Sequence, residues 1–140
     1  PLPEDQLMTL ASLIEKETAL DSERPLIAGV YYNRLAKGML LQCDPTVIYA
    51  LYLRDRQPLG RALTREDLKA DLPYNTYVHK GLPPGPICHP GKASIRAAFY
   101  PQATDALYFV ADGTGGHRFS ATLKEHAKNH DHWRRVKANQ

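Results

Sequence analysis

Cysteine is scarce in this sequence of 140 residues, and its two cysteines, Cys43 and Cys88, can form at most one disulfide. A chain of this length can bury a hydrophobic core without such a crosslink. Both cysteines stand beside loop signals, in Cys-Asp-Pro and Cys-His-Pro, and neither has metal-ligand spacing to a partner. A disulfide and two free thiols are therefore both compatible with the sequence.

The sequence also lacks a long apolar run, a signal peptide and any block of like charges. Without about 20 consecutive apolar residues there is no candidate membrane span within these residues. The net charge is only +3 and includes no Lys/Arg block, a composition that does not favour nucleic-acid binding. With 140 residues and no internal repeat, we expect a single domain over residues 1–140, either by itself or as a fragment of a longer chain.

Motifs for several common chemistries are missing as well. The glycine-rich segment 112–116 has neither a GxGxxG pattern nor a GK[ST] ending, so it predicts a turn and not a phosphate site. His126 and His130 have the i, i+4 spacing of zinc ligands, but no glutamate lies between them and the region is strongly polar. We therefore predict a solvated histidine-rich face there, and neither a metal nor a cofactor.

Helical patterns fill most of the sequence, and one short β element follows them. Apolar spacing, capping residues and prolines predict helices over about 5–19, 25–37, 46–53, 64–68, 93–100 and 122–136. Residues 107–110 and 117–120 flank the glycine-rich turn and predict a hairpin. The expected fold class is α+β, a helix-dominated domain with a small antiparallel β element.

Residues 81–87, with the sequence GLPPGPI, can form neither a helix nor a central strand. Proline fixes φ and removes a backbone donor, so the segment predicts a rigid loop. Two roles are open for this loop, namely the wall of a cleft or a packing connector.

The segment 10–20 predicts an amphipathic helix with an acid on its apolar face. At about 100° per residue, one face groups Leu10, Leu13, Ile14 and Glu17. Glu15 is roughly 140° away from Leu10, on the side predicted to face solvent with Lys16. A carboxyl in apolar surroundings has a raised pKa, which suits a general acid for glycosidic oxygen. The alternative is that Glu17 caps a neighbouring element or pairs with a buried arginine.

Polar and aromatic residues are mixed in two short segments, a pattern typical of carbohydrate sites, where hydroxyls need hydrogen bonds and sugar rings stack on aromatics. The candidate sugar contacts are Gln42, Asp44, Thr46, Tyr74, Asn75, Thr76 and Tyr77. Core tyrosines with satisfied hydroxyls are an equal alternative. For Asp44, which precedes Pro45, we favour a helix N-cap.

A series of motifs along almost the whole chain resembles the MltG (YceG-like) endolytic murein transglycosylases. These motifs are IEKET at 14–18, NRL at 33–35, QCDPTVIY at 42–49, YNTY at 74–77, GLPPGPI at 81–87, PG at 90–91, YFV at 108–110 and GHRFS at 116–120. The order and spacing of the series, more than any single motif, make the resemblance specific.

The resemblance implies a lysozyme-like catalytic domain that cuts peptidoglycan glycan strands internally and leaves 1,6-anhydro-N-acetylmuramic acid ends. Glu17 matches the catalytic glutamate of the family. It further implies that an N-terminal helix outside this chain anchors the protein at the periplasmic face of the cytoplasmic membrane. Peptidoglycan synthases are the implied partners, and termination of nascent strands is the implied role. A lysozyme-type hydrolase and a non-catalytic glycan-binding module are the alternatives.

Overall fold

The structure, a computed structural model, describes residues 2–139; the first and last residues of the domain predicted over 1–140 lie outside this range. Its elements are α1 (Glu4–Glu17), a 3₁₀ turn (Asp21–Glu23), α2 (Arg24–Lys37), α3 (Asp44–Asp55), α4 (Arg65–Leu68), α5 (Lys92–Phe99), β1 (Tyr108–Ala111), β2 (His117–Ser120) and α6 (Leu123–Ala138). Strands β1 and β2 form one antiparallel pair. The predicted α+β class, with helices dominant and a small β element, is confirmed.

Helix α1 lies in the core, where it packs against α5, α2 and α3. Its predicted apolar stripe is confirmed, since Leu10, Leu13 and Ile14 are completely buried. Burying each such side chain favours folding by about 1.5–3 kcal/mol. The helix ends at Glu17, two residues earlier than predicted, because Thr18 adopts an extended conformation and its hydroxyl donates a hydrogen bond to Glu23.

The chain that enters β1 is fastened across α2 by two neighbouring polar side chains. Asn33 Nδ2 donates to the carbonyl oxygens of Thr104 and Ala106, at 2.8 and 2.9 Å. The buried Arg34 donates to the carbonyl oxygens of Leu40 and Leu107, both at 2.7 Å. These contacts fix the position of the hairpin relative to the helical core.

The loop 81–87 packs onto the core, so the packing-connector role is the one that the structure supports. Ile87 is buried, and its backbone N–H donates to Ser12 Oγ at 3.1 Å. Leu82 packs against the hydrophobic core as well. No residue of this loop lines the groove described below.

Helix α6 packs on both strands of the hairpin. The predicted solvated histidine-rich face is wrong for His126, whose half-buried ring stacks on Tyr108 with the ring centroids 5.0 Å apart.

Both cysteines are free thiols. Among residues 2–139, none of the helices combines the length and the apolar character needed to cross a bilayer.

Gly29→Ala tests the close approach of the 102–104 segment to α2. A β-carbon at Gly29 would overlap with the carbonyl oxygen of Gln102 and lie 2.9 Å from Thr104 Cγ2. Helix propensity alone predicts a gain of about 1 kcal/mol in the free energy of unfolding, whereas overpacking costs about 1–3 kcal/mol. We expect a net loss in urea unfolding, because the clash is with backbone.

The matched control is Ala36→Gly at an exposed position of the same helix. Its free energy of unfolding should fall by at most about 1 kcal/mol, from the lower helix propensity of glycine, because Ala36 lies in the last turn of α2. A stabilised Gly29→Ala protein would contradict the packing described here.

Candidate active site

A groove of about 440 Å³ opens between the helical core and the hairpin with α6. It is bounded by the end of α1, by α2, by residues 41–44 and by Tyr77, β1 and α6. Side chains that matter for its chemistry are Glu17, Tyr31, Gln42, Asp44, His117 and Trp133. The groove therefore collects polar groups from distant parts of the sequence.

Glu17 is the last residue of α1, and its carboxyl faces this groove. Its Oε1 accepts a hydrogen bond from the Tyr31 hydroxyl at 2.8 Å and one from the Cys43 thiol at 3.1 Å. Among residues 2–139, no Lys, Arg or His lies within ion-pair distance of it. The prediction that Glu17 faces a cleft is consistent with this geometry, and pairing with a buried arginine is not.

The electrostatic surroundings of Glu17 favour its protonated form. Burial is the main cause that raises the pKa of Glu17, and the negative charge of Asp44 raises it further. The hydrogen bonds from Cys43 and Tyr31 act in the opposite direction without cancelling the effect of burial. The C-terminal end of a helix carries a partial negative charge, which also disfavours a carboxylate there.

Glu15 keeps 31% of its side chain exposed, on the side predicted to face solvent, but its carboxylate also binds other parts of the protein, which was not predicted. Its Oε1 accepts from Gly91 N–H at 2.6 Å and from the Ser94 hydroxyl at 3.0 Å. Its Oε2 lies 3.7 Å from the Arg24 guanidinium. The backbone hydrogen bond at the start of α5 is the main cause that holds the pKa of Glu15 below its usual value. Glu15 therefore joins α1 to α5 and has a structural role.

Three of the predicted sugar contacts, Gln42, Asp44 and Tyr77, line the groove. Gln42 and Asp44 are exposed, whereas the intervening Cys43 is buried. Gln42 has a left-handed backbone with φ of 50°, a strained conformation for a non-glycine residue that occurs often at functional sites. The favoured N-cap role of Asp44 is wrong, since Asp44 is inside α3 without a capping bond and accepts a hydrogen bond from the Tyr77 hydroxyl.

Three other predicted contacts lie behind the groove wall, with exposures of 0% for Thr46 and Asn75 and 1% for Thr76. They have no free surface for a ligand, so direct sugar contact is corrected to support of the wall. The hydroxyls of Thr46 and Thr76 hydrogen-bond each other at 2.8 Å, and that of Thr76 accepts from Cys43 N–H at 2.9 Å. Asn75 Oδ1 accepts from Tyr77 N–H at 2.8 Å.

Tyr74 does not line the groove, because its ring packs edge-on against Tyr49 with the centroids 5.0 Å apart. This contact corresponds to the alternative in which a tyrosine belongs to the packed interior. Its predicted role as a sugar contact finds no support in this position.

Sequence reasoning missed His117 and Trp133, which both line the groove. His117 is in the GHRFS motif but had no assigned role, and Trp133, the only tryptophan of the chain, lies close to the predicted solvated histidine-rich face. His117 Nδ1 lies 2.8 Å from Glu23 Oε1, and its backbone N–H donates to Glu23 Oε2 at 2.8 Å. Within the described part of the chain, no cluster of three or more His, Cys, Asp or Glu side chains is suited to a metal ion.

Fold and site together define a class, that of a small helix-dominated α+β domain with a half-buried carboxyl at an open polar groove and, among residues 2–139, no ion-pair partner for that carboxyl. The chain belongs to the YceG-like family, whose pattern it matches over residues 2–132. A crystal structure of a YceG-like protein from Listeria monocytogenes superposes with a TM-score of 0.78 at 48% identity, over 89% of this chain and 38% of that one.

Curated relatives point to the same family. The chain is 49% identical over 123 residues to a Bacillus subtilis protein named endolytic murein transglycosylase, which covers 88% of this chain and 33% of that protein. A Streptococcus pneumoniae protein of the same name is 40% identical over 131 residues. This match includes 89% of the present chain and 23% of the Streptococcus pneumoniae protein. The chain thus spans a third or less of these two relatives.

Glu17→Gln and Glu15→Gln should change stability in opposite directions at pH 8. The raised pKa of Glu17 means that its contribution to folding is present below the unfolded value of 4.5 and is lost as pH rises through the folded pKa. We therefore expect Glu17→Gln to be more stable than wild type at pH 8 and similar to it at pH 4. Each unit of pKa shift corresponds to about 1.4 kcal/mol.

Glu15→Gln is the matched control on the same helix. Its lowered pKa means that its contribution is present above 4.5 and is lost as pH falls. We expect this variant to be less stable than wild type at pH 8, with a difference that shrinks on acidification. Urea unfolding at both pH values measures both variants, and a shift of the same sign for the two glutamates would contradict the assignment.

Proposed function

We propose that this chain is the catalytic domain of an endolytic peptidoglycan lytic transglycosylase. It cleaves the β-1,4 bond between N-acetylmuramic acid and N-acetylglucosamine inside glycan strands and leaves 1,6-anhydro-N-acetylmuramic acid ends. Membership of the YceG-like family and the names of the two curated relatives support this reaction class. The single observation that carries the proposal is the half-buried carboxyl of Glu17, which faces the groove and has no ion-pair partner among residues 2–139.

The chemistry starts with a proton on Glu17. A general acid has to carry its proton at the working pH, and a pKa raised by burial favours the protonated form of Glu17. Its proton passes to the glycosidic oxygen as the bond to the muramic acid carbon breaks. The C6 hydroxyl of the same sugar then attacks that carbon, so that no water and no second carboxylate nucleophile is needed. The carboxylate left on Glu17 is the simplest acceptor for the C6 hydroxyl proton.

Gln42, Asp44 and Tyr77 are the proposed sugar contacts, because they line the groove together with Glu17. Gln42 supplies amide donors and an acceptor, and the Asp44–Tyr77 pair supplies a carboxylate and an aromatic ring. Behind them, Thr46, Asn75 and Thr76 hold this wall in place. Tyr74 is assigned to packing.

The cellular role follows from the substrate. Peptidoglycan lies in the cell envelope, so we assign the domain to the periplasmic face of the cytoplasmic membrane, held there by an N-terminal segment outside this chain. Cleavage within nascent strands terminates them, which makes peptidoglycan synthases the expected partners. No cofactor enters the proposed reaction.

Glu17→Gln should abolish cleavage of purified murein while the fold is retained. An amide cannot donate the required proton, and loss of general acid catalysis costs about 10²–10⁴-fold in rate. Mass spectrometry of the digested glycan measures the products, with circular dichroism as the check on folding. Glu15→Gln, compared at a temperature where it is folded, is the matched control and should keep its activity.

The product analysis separates the proposal from its two alternatives. Anhydro-ended products from wild type support a lytic transglycosylase. Reducing ends from wild type indicate a lysozyme-type hydrolase, and intact glycan with retained binding indicates a binding module. Either of the latter results contradicts the proposal.

Tyr31→Phe and Asp44→Asn should move the alkaline limb of kcat/KM in opposite directions. Activity falls when Glu17 loses its proton, and the Tyr31 hydrogen bond lowers the pKa of Glu17 while the charge of Asp44 raises it. We expect the limb to shift to higher pH in Tyr31→Phe and to lower pH in Asp44→Asn. The pH dependence of murein cleavage measures both, and a limb that neither variant moves would indicate that Glu17 is not the titrating acid.

A further inference from the structure

His117 is a second proton-binding side chain at the groove, and the reaction described so far gives it no task. It lines the same groove as Glu17 and also the cavity next to it, which Glu17 and Trp133 border as well. A positive charge on its ring, when present, lowers the pKa of the Glu17 carboxyl, so the two groups lie within electrostatic range of each other. The acid and the imidazole are therefore neighbours across one space.

The orientation of the His117 ring is fixed by Glu23. Both carboxyl oxygens of Glu23 bind His117, Oε1 through the ring Nδ1 and Oε2 through the backbone N–H, each at 2.8 Å. The side chains are only 13% and 16% exposed. A carboxylate accepts and does not donate, so Nδ1 carries the hydrogen and the lone pair of the neutral ring is on Nε2.

The Nε2 atom is available to a ligand. Among residues 2–139 it has no hydrogen-bond partner, and it is not one of the buried polar atoms without a partner. Phe109 meets the ring edge-to-face with centroids 5.4 Å apart, which restricts rotation. An oriented imidazole with an open acceptor atom at a groove is the arrangement of a general base held by a carboxylate.

The same hydrogen-bond network ties the imidazole to the acid. Thr18 directly follows Glu17, and its hydroxyl donates to Glu23 Oε1 at 3.2 Å. Gly116 allows the hairpin to come this close, since a β-carbon there would lie 2.9 Å from Glu23 Oε2. Glu17 and His117 are thus held in a fixed relation through Thr18 and Glu23.

We propose that His117 Nε2 accepts the proton of the C6 hydroxyl in the transglycosylation step, in place of the Glu17 carboxylate. This inference rests on the proposed function. The glycosidic C1–O4 bond breaks as the Glu17 proton passes to O4, and the O6–C1 bond forms as the O6 proton passes to Nε2. The resulting imidazolium is paired with the Glu23 carboxylate. His117 then releases its proton to water, and Glu17 takes one up.

The test is the ratio of anhydro ends to reducing ends in murein digests by His117→Gln and Glu23→Gln. Without the base that orients and deprotonates the C6 hydroxyl, formation of anhydro ends should slow by about 10²-fold in His117→Gln, and water should compete, so that the share of reducing ends rises. Glu23→Gln should show a smaller change of the same sign. A merely structural loss would lower the rate without changing the product ratio.

Two further measurements sharpen the test. Free imidazole should restore anhydro-end formation in His117→Ala. His79→Gln is the matched control, because His79 is half exposed, pairs with Asp71 and does not line the groove; its products should equal those of wild type. In the wild-type chain, ¹⁵N NMR should find the His117 ring protonated on Nδ1 and not on Nε2. This measurement needs no variant, so it tests the inference even if the variants do not fold.

The outcomes distinguish this inference from the function on which it rests. Wild type that yields no anhydro ends contradicts the proposed function. Wild type that yields anhydro ends, with an unchanged rate and product ratio in folded His117→Gln, contradicts only the role of His117. An Nε2-protonated ring in wild type contradicts it as well.

Discussion

The chemistry of this domain depends on the Glu17 carboxyl, which is half buried and has no cation within ion-pair distance among residues 2–139. Partial burial without a cation makes the charged form of a carboxyl costly and so raises its pKa. Glu17 meets this condition through burial at the end of α1, where the helix dipole also disfavours an anion. Its two hydrogen bonds, from Tyr31 and Cys43, keep the ionised form accessible, as a group that gives up a proton in each turnover requires.

Glu15 shows how strongly the surroundings decide the role of a residue type. Two positions away on the same helix, its carboxylate receives a backbone N–H at the start of α5 and lies near Arg24. There the helix dipole and the neighbouring cation both favour the charged form. One helix therefore carries one glutamate with a lowered pKa and one with a raised pKa, and the difference comes from the elements that each one meets.

The groove wall is built by residues that never reach the groove. The paired hydroxyls of Thr46 and Thr76, and the amide of Asn75, connect the strained segment at Gln42 to the chain before Tyr77. On the opposite side, Asn33 and Arg34 fasten the approach to β1, and the hairpin then brings His117 to Glu23. Fully satisfied buried polar groups of this kind specify one arrangement of the surrounding backbone.

Local patterns in the sequence determined the helices, the hairpin and the inward face of Glu17, because helical and strand periods repeat over a few residues. The order of the motifs determined the family. Only the tertiary structure decided which polar residues share the groove. Glu15 pairs with Gly91, 76 positions away, and Glu23 with His117, 94 positions away; no local period encodes such contacts. For the same reason, the local sequence wrongly predicted a helix cap at Asp44 and a sugar contact at Asn75.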